Sequence, residues 1–389
     1  MAMNIIRTAY LQEIEQSFRT SPIVAVLGPR QCGKTTLARH YFRSQQGLSE
    51  HYFDLEDPLD WHRLQDPLLT LEHTMGLVVI DEVQLMPHLF PVLRVLVDKG
   101  IPQQRFLILG SASRQLFQKS SESLAGRIHY IELTPFSCQE VDLMDRLWLR
   151  GGFPLAYLAD TEKDSAVWRK DYIRTYLEQD IPQLGIHIPA ISLRRFWMMV
   201  THYHGQLFNA SELGNSLDLS HHTVKRYLDI LTDTFMLRQL PPWYENIGKR
   251  QVKSVKIYFR DSGIYHTLLN INNHRELLIH PKLGASWEGF ALESVIHTLS
   301  VDPADCYFWA THGQAELDLL IVQGMNRIGF EFKYTKAPKI TKSMHISLET
   351  LQLNKLTIIY PGDKNFLLAP KIECVGLDAF CRTVLYNNY

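Results

Sequence analysis

Cysteine is scarce in this chain of 389 residues, with five positions, Cys32, Cys138, Cys306, Cys374 and Cys381, odd in number and never in C-x-x-C spacing. Such a set excludes a disulfide-dense scaffold and a thiolate zinc site, and is expected to stay as reduced thiols. An excess of one charge is also lacking. Lys and Arg total 40 against 41 Asp and Glu, a formal net charge of -1, so any nucleic-acid contact has to be a local basic patch. No apolar run reaches the roughly 18 residues of a membrane span. Glu13 and Glu15 interrupt the N-terminal stretch where a secretory signal would be purely apolar, so the expected location is cytoplasmic, with no membrane partner. Histidine is plentiful, but the pairs His202/His204 and His221/His222 have no third ligand at a recognisable spacing, which argues against a metal centre built on them.

With 46% hydrophobic and 21% charged residues the chain has the composition of packed globular domains, and at about 150 residues per domain it should hold two or three. Residues 23–28, IVAVLG, form a short β-branched apolar run followed at once by GPRQCGKTT and the helical TTLARHYF. This is the G-x-x-x-x-G-K-[ST] phosphate loop in its strand-to-helix context, spanning Gly28, Pro29, Arg30, Gln31, Cys32, Gly33, Lys34, Thr35 and Thr36. The glycines let backbone N–H groups approach phosphate oxygens, Lys34 reaches the β- and γ-phosphates, and Thr35 offers a hydroxyl to Mg²⁺. ATP and Mg²⁺ are therefore the expected ligands. Cys32, at the start of a helix, is expected to be either a reactive thiolate or a buried, inert thiol that fills space.

A second run, GLVVI at 76–80, ends in Asp81 and Glu82, as a buried parallel strand does when it delivers carboxylates at its C-terminal end. Asp81 is expected in the Mg²⁺ shell, and Glu82 is expected to orient and polarise the attacking water. A third run, RFLILGSAS, brings Ser111 or Ser113 to a sensor position for the γ-phosphate. HYFDLEDP and IHYIEL complete a five-stranded α/β sheet.

GPRQCGKTTLAR, LVVIDEVQ, LILGSAS, LAGRIHYIELTPFS, GGFP and YLEQDIPQLGI together resemble, in order, the AAA-type ATPases of bacteria and archaea that carry a C-terminal domain of unknown function. The resemblance runs over nearly the whole chain. It implies an ATPase domain at 1–150, a helical lid at 151–191, and an arginine finger at Arg127, which would act in trans in a homo-oligomer.

From 192 to 269 the pattern of helix, helix, turn, helix and two strand-like runs resembles a winged helix, with Ser211 and Ser220 as helix caps. His221, His222, Thr223, Lys225 and Arg226 would face DNA, and the wing Gly248–Lys256 would touch phosphates. A protein partner is the alternative. From 270 to 389, Glu288 on a helix, Asp318 on a strand, and Glu331 and Lys333 on one face of the next strand resemble the PD-(D/E)xK nucleases, with Leu317 in place of the motif's proline. In that reading Glu288, Asp318 and Glu331 hold a divalent metal and Lys333 stabilises developing charge. The alternatives are a catalytically idle interaction scaffold behind the same ATPase, or a small-molecule kinase, which would have little use for the long C-terminal half.

Overall fold

The computed structural model describes residues 5–45, 51–101, 103–112, 124–245, 252–311 and 315–387. They form two compact units: Met1–Pro135 with Tyr172–Ala190 and Asp233–Met236, and Phe136–Asp171 with Ile191–Thr232 and Leu237–Tyr389. The segment 151–191, expected as a lid, is thus divided, 172–190 belonging to the first unit and 151–171 with residue 191 to the second.

In the first unit, β1 (Ile23–Leu27), β2 (His51–Asp54), β3 (Leu77–Asp81), β4 (Arg105–Gly110) and β5 (Ile128–Glu132) make a parallel sheet in the order β2-β3-β4-β1-β5. The five strands fall where the apolar runs place them. Residues of β1 alternate between two cores. Ile23, Ala25 and Leu27 pack with Leu89, Phe90, Leu93 and Leu96 of the helix Leu89–Asp98, while Val24 and Val26 pack with Ile14 and with Leu37 and Tyr41 of the helix Lys34–Ser44. Burial on both faces explains why the inner strands β1, β3 and β4 read as continuous apolar runs, and each buried aliphatic side chain adds about 1.5–3 kcal/mol. This order also sets β1, β4 and β3 side by side, so the phosphate loop, Ser111 and the Asp81–Glu82 pair all emerge at the C-terminal edge of adjacent strands.

The second unit contains helices Ala210–Leu217 and His221–Asp233, apart from the terminal Asp233, and a small antiparallel sheet of β6 (Gln206–Leu207), β7 (Leu237–Leu240) and β8 (Lys256–Phe259), with β8 in the middle. The first of these helices is capped by Asn209, whose side chain accepts the Glu212 N–H at 3.2 Å, and not by the expected Ser211, which lies one residue inside the helix. Ser220 does cap the second, accepting the Thr223 N–H at 3.1 Å. A six-stranded mixed sheet follows: β9 (Cys306–Ala310), β10 (Glu316–Gln323), β11 (Asn326–Phe332), β12 (Lys355–Tyr360), β13 (Phe366–Ala369) and β14 (Ile372–Gly376), in the order β13-β14-β12-β11-β10-β9. The expectation of reduced thiols is corrected at one pair, because Cys138 is disulfide-bonded to Cys381 across 243 residues of sequence. Local spacing carries no trace of a pairing made by tertiary structure.

Candidate active site

The phosphate loop is shaped by close approach. A Cβ on Gly28 would lie 2.1 Å from the Leu133 carbonyl oxygen, so no side chain fits there, and Gly33 takes a φ of 101° that favours glycine. The next residue, Lys34, starts the helix, is buried, and donates from Nζ to the carbonyls of Gly28 (3.1 Å) and Pro29 (2.9 Å) and to Ser111 Oγ (3.1 Å). The ammonium therefore sits over the loop that it serves. Cys32 is fully buried, with Sγ 3.5 Å from the Leu133 carbonyl, and burial pushes its thiol above the usual range. This corrects the expected reactive thiolate: loss of hydration outweighs the helix potential and the nearby Lys34 and Arg7 charges. The residue belongs to the loop through its backbone.

Thr35 Oγ1 donates to Asp81 Oδ2 at 2.7 Å, and the Tyr52 hydroxyl donates to the same oxygen at 2.7 Å. Burial raises the Asp81 carboxyl, with the two hydroxyls opposing that shift. A hydroxyl and a carboxylate in contact at the foot of the phosphate loop fit Mg²⁺, which uses one or two protein oxygens and completes its shell with phosphates and water. Glu82, at a left-handed φ of 55°, turns back so that its carboxylate accepts from Ser111 Oγ at 2.9 Å and from Gln84 Nε2. Such a backbone conformation is costly for a non-glycine residue and persists only where the surroundings enforce it. Lys34, Ser111 and Glu82 thus form one chain of contacts beside the Thr35–Asp81 pair. Ser113 lies outside the described residues.

Two arginines lie in different surroundings. Arg127 sits at the N-terminal end of β5, its carbonyl accepting from Ile23 N–H at 3.2 Å, while the phosphate loop leaves the opposite end of β1. A strand of that length separates the two ends by about 15 Å. Its guanidinium makes a two-point pair with Asp98, at 2.7 and 3.2 Å. Arg30, in contrast, projects from the phosphate loop to Asp180 and Glu56 and donates to Gln183 at 2.9 Å. Arg30, Asp180 and Gln183 line a small open pocket with Ser111, Gln84, Tyr176, Leu184 and Thr234. Sequence reasoning assigned no role to Asp180, Gln183 or Tyr52. The segment YLEQDIPQLGI, which holds Glu178 and Asp180, was the available signal.

In the second unit the four residues of the nuclease-like set do lie in one neighbourhood. Lys333 Nζ is 2.7 Å from Glu331 and 3.6 Å from Asp318, and Glu288 accepts the Tyr258 hydroxyl at 2.7 Å. Burial first, and the Asp318 charge second, raise both the Glu288 and the Glu331 carboxyls. Among the described residues, however, no three His, Cys, Asp or Glu side chains are grouped to hold a metal ion. The three carboxylates expected to hold a metal lie together, with Glu331 and Asp318 facing Lys333 and Glu288 accepting from Tyr258. Beside them is Lys256, read from sequence as the end of a basic wing. It is only 4% exposed, pairs with Glu316, and lies 3.8 Å from Asp318. Of that wing, 248–251 fall outside the described residues.

A phosphate loop leading from strand to helix, a Thr35–Asp81 contact at its foot and a parallel five-stranded sheet define the first unit as an AAA-type P-loop ATPase core. An AAA domain model matches residues 20–142, and models described as Domain of unknown function match 141–275 (DUF8612) and 283–380 (DUF4143). Proteins of Mycobacterium tuberculosis and Mycobacterium bovis, both described as uncharacterized, are 49% identical over 372 residues, covering 95% of this chain and 83% of theirs. The chain belongs to the same family as these two proteins. An uncharacterized protein of Haemophilus influenzae is 26% identical over 67% of this chain and 72% of its own. Among solved structures, a Walker-type ATPase of Pyrococcus abyssi aligns at 13% identity with a TM-score of 0.49, over 68% of this chain and 96% of that one. No described helix is long and apolar enough to cross a membrane.

Proposed function

We propose that the first unit binds ATP with Mg²⁺ and hydrolyses it. The observation that carries this reading is the contact chain from Lys34 through Ser111 to Glu82, beside the Thr35–Asp81 pair. Lys34 would exchange its carbonyl partners for the β- and γ-phosphates, and Thr35 and Asp81 would hold the cation, which neutralises the phosphate charge as it develops. Glu82 would accept a hydrogen bond from the attacking water, and Ser111 would sense whether a γ-phosphate is present. Lys34→Ala should abolish nucleotide binding, whereas Glu82→Gln should bind ATP normally and turn it over at least about a hundredfold more slowly. Equal hydrolysis by Glu82→Gln and the parent would reduce Glu82 to a structural carboxylate.

Arg127 is proposed as a finger offered to a neighbouring copy, since it is remote from its own phosphate loop. Mixing Arg127→Ala with Lys34→Ala chains should restore part of the hydrolysis, and no recovery despite demonstrated exchange of chains would remove that role.

For the C-terminal half we infer a DNA-contacting winged helix followed by a nuclease-like α/β domain. The order helix, strand, helix, helix, strand, strand over 190–259 supports the first part, together with the exposed His221, His222, Lys225 and Arg226 on one helix. Asp318 and Glu331 on neighbouring antiparallel strands support the second. A protein-interaction scaffold is favoured by one observation, the engagement of the acidic pocket by Lys256.

A further inference from the structure

Four acidic side chains, Glu288, Glu316, Asp318 and Glu331, meet two ammonium groups in the second unit, and the ATPase chemistry uses none of them. The two lysines reach the cluster from different strands. Lys333 immediately follows β11 and pairs with Glu331 and Asp318. Lys256 opens β8, the central strand of the small sheet, where its backbone is in register with Leu207 on one side and Leu240 on the other. Its stem is held as firmly as its head. Nζ pairs with Glu316 and Asp318 and lies 5.4 Å from the centroid of the Phe308 ring.

A divalent ion would have to find carboxylate oxygens not already committed. Asp318 Oδ2 accepts the Phe332 N–H at 3.0 Å and faces Lys333, and Asp318 Oδ1 faces Lys256. Glu331 is bonded to Lys333, and Glu288 to the Tyr258 hydroxyl. Any ion placed between Asp318 and Glu288 would also sit beside the Lys256 ammonium and be repelled by it, in surroundings where water screens little. The lysine supplies from inside the fold the positive charge that the pocket requires.

We propose that the Lys256 ammonium is the resident cation of this acidic pocket, standing where a divalent metal would otherwise be held, so that the C-terminal domain keeps a nuclease-like site without its metal and works as a binding scaffold. The inference rests on pocket geometry alone, and the test therefore uses neither ATP nor DNA. A failure of the ATPase reading or of the DNA reading leaves its outcome unchanged.

Full-length nucleotide-free chain is titrated with Mn²⁺ and the bound ion counted by electron paramagnetic resonance. Parent, Lys256→Met and Lys256→Gln are each compared with the same chain carrying Asp318→Asn, so that weak binding at the phosphate loop cancels. The parent should show no Asp318-dependent site, whereas both Lys256 variants should gain one ion per chain at an affinity roughly tenfold or more above the parent. An Asp318-dependent Mn²⁺ site in the parent would overturn the proposal, as would folded Lys256 variants that gain none. Should both variants lose their folded circular dichroism signal, Mn²⁺ ought to restore it; failure of the ion to replace the lysine would equally overturn the assignment.

Discussion

At the scale of single residues, the phosphate loop is held by interactions that act over long sequence distances. Arg7 donates to the carbonyls of Cys32 at 3.3 Å and Thr134 at 2.8 Å, tying the loop to the end of β5. Arg30 is tied to Asp180, a buried group whose carboxyl is raised by burial, with Arg30 opposing that shift. Asp180 also places negative charge on the side of the pocket where phosphates would enter. Neutralising it should therefore help nucleotide twice, by removing repulsion and by releasing Arg30 toward the phosphates. Asp180→Asn is expected to tighten ATP binding by about three- to tenfold at low salt, with the gain shrinking as ionic strength rises. Fluorescent-nucleotide titration at two salt concentrations measures this, and weaker binding at both would mean that the Arg30–Asp180 pair organises the loop for nucleotide. Gly28, Lys34, Thr35, Asp81, Glu82 and Ser111 were all legible in the sequence because each follows its own strand within a few residues. Arg30–Asp180 was not, because 150 residues separate the partners.

Elements repeat this lesson. Strands buried on both faces announce themselves as β-branched runs, and the five-stranded sheet could be read strand by strand. The small sheet could not, since β6 has two residues and β8 four. Its shortness hid the fact that Lys256 begins a central strand, so a lysine buried beside Asp318 looked like the last charge of a surface wing. The Asn209 cap was missed for a related reason: Ser211 and Asn209 both suit a helix N-terminus, and only the backbone decides between them. The helix His221–Asp233 keeps Val224, Tyr227, Leu228 and Leu231 buried and leaves Lys225 and Arg226 exposed, which is what a groove-reading helix needs and also what any solvated helix has. Replacing both exposed cations by Ala distinguishes the two. If this helix lies along duplex DNA, the double variant should bind about tenfold more weakly at physiological salt, and its log–log salt slope should fall by about two. Unchanged affinity and slope would leave the face to a protein partner.

For the whole molecule, pH acts through groups buried in both units. In the second, His204 and His266 are buried and neutral, each lowered to about 3, chiefly by burial. The His266 ring is fixed in one tautomer by its neighbours. Trp148 Nε1 donates to Ser286 Oγ at 2.9 Å, so the Ser286 hydroxyl is free to donate to His266 Nε2 at 2.6 Å, and Nδ1–H then faces the Leu149 carbonyl at 3.0 Å. A second proton on the ring would require the Ser286 hydroxyl to turn and accept from Nε2–H instead of donating to it. Unfolded histidine titrates near 6.5, so the stability that the two rings contribute is fully present above about pH 6.5 and is lost as pH falls toward 3, by about 1.4 kcal/mol per pH unit for each ring. The carboxyls of Asp81 and Asp180 in the first unit are raised, which favours their fold as pH falls. Six of the seven tryptophans, all except Trp61, belong to the second unit, so tryptophan fluorescence reports mainly on it. Raised carboxyls such as Asp261 lie in the same unit and act in the opposite sense, so the decisive comparison is between parent and His266→Gln. Urea unfolding followed by fluorescence between pH 6 and 4 should show a stability slope shallower by about 1.4 kcal/mol per unit in the variant. Parallel slopes would mean that His266 carries its proton inside the folded unit, and that the Ser286 contact is made by the imidazolium.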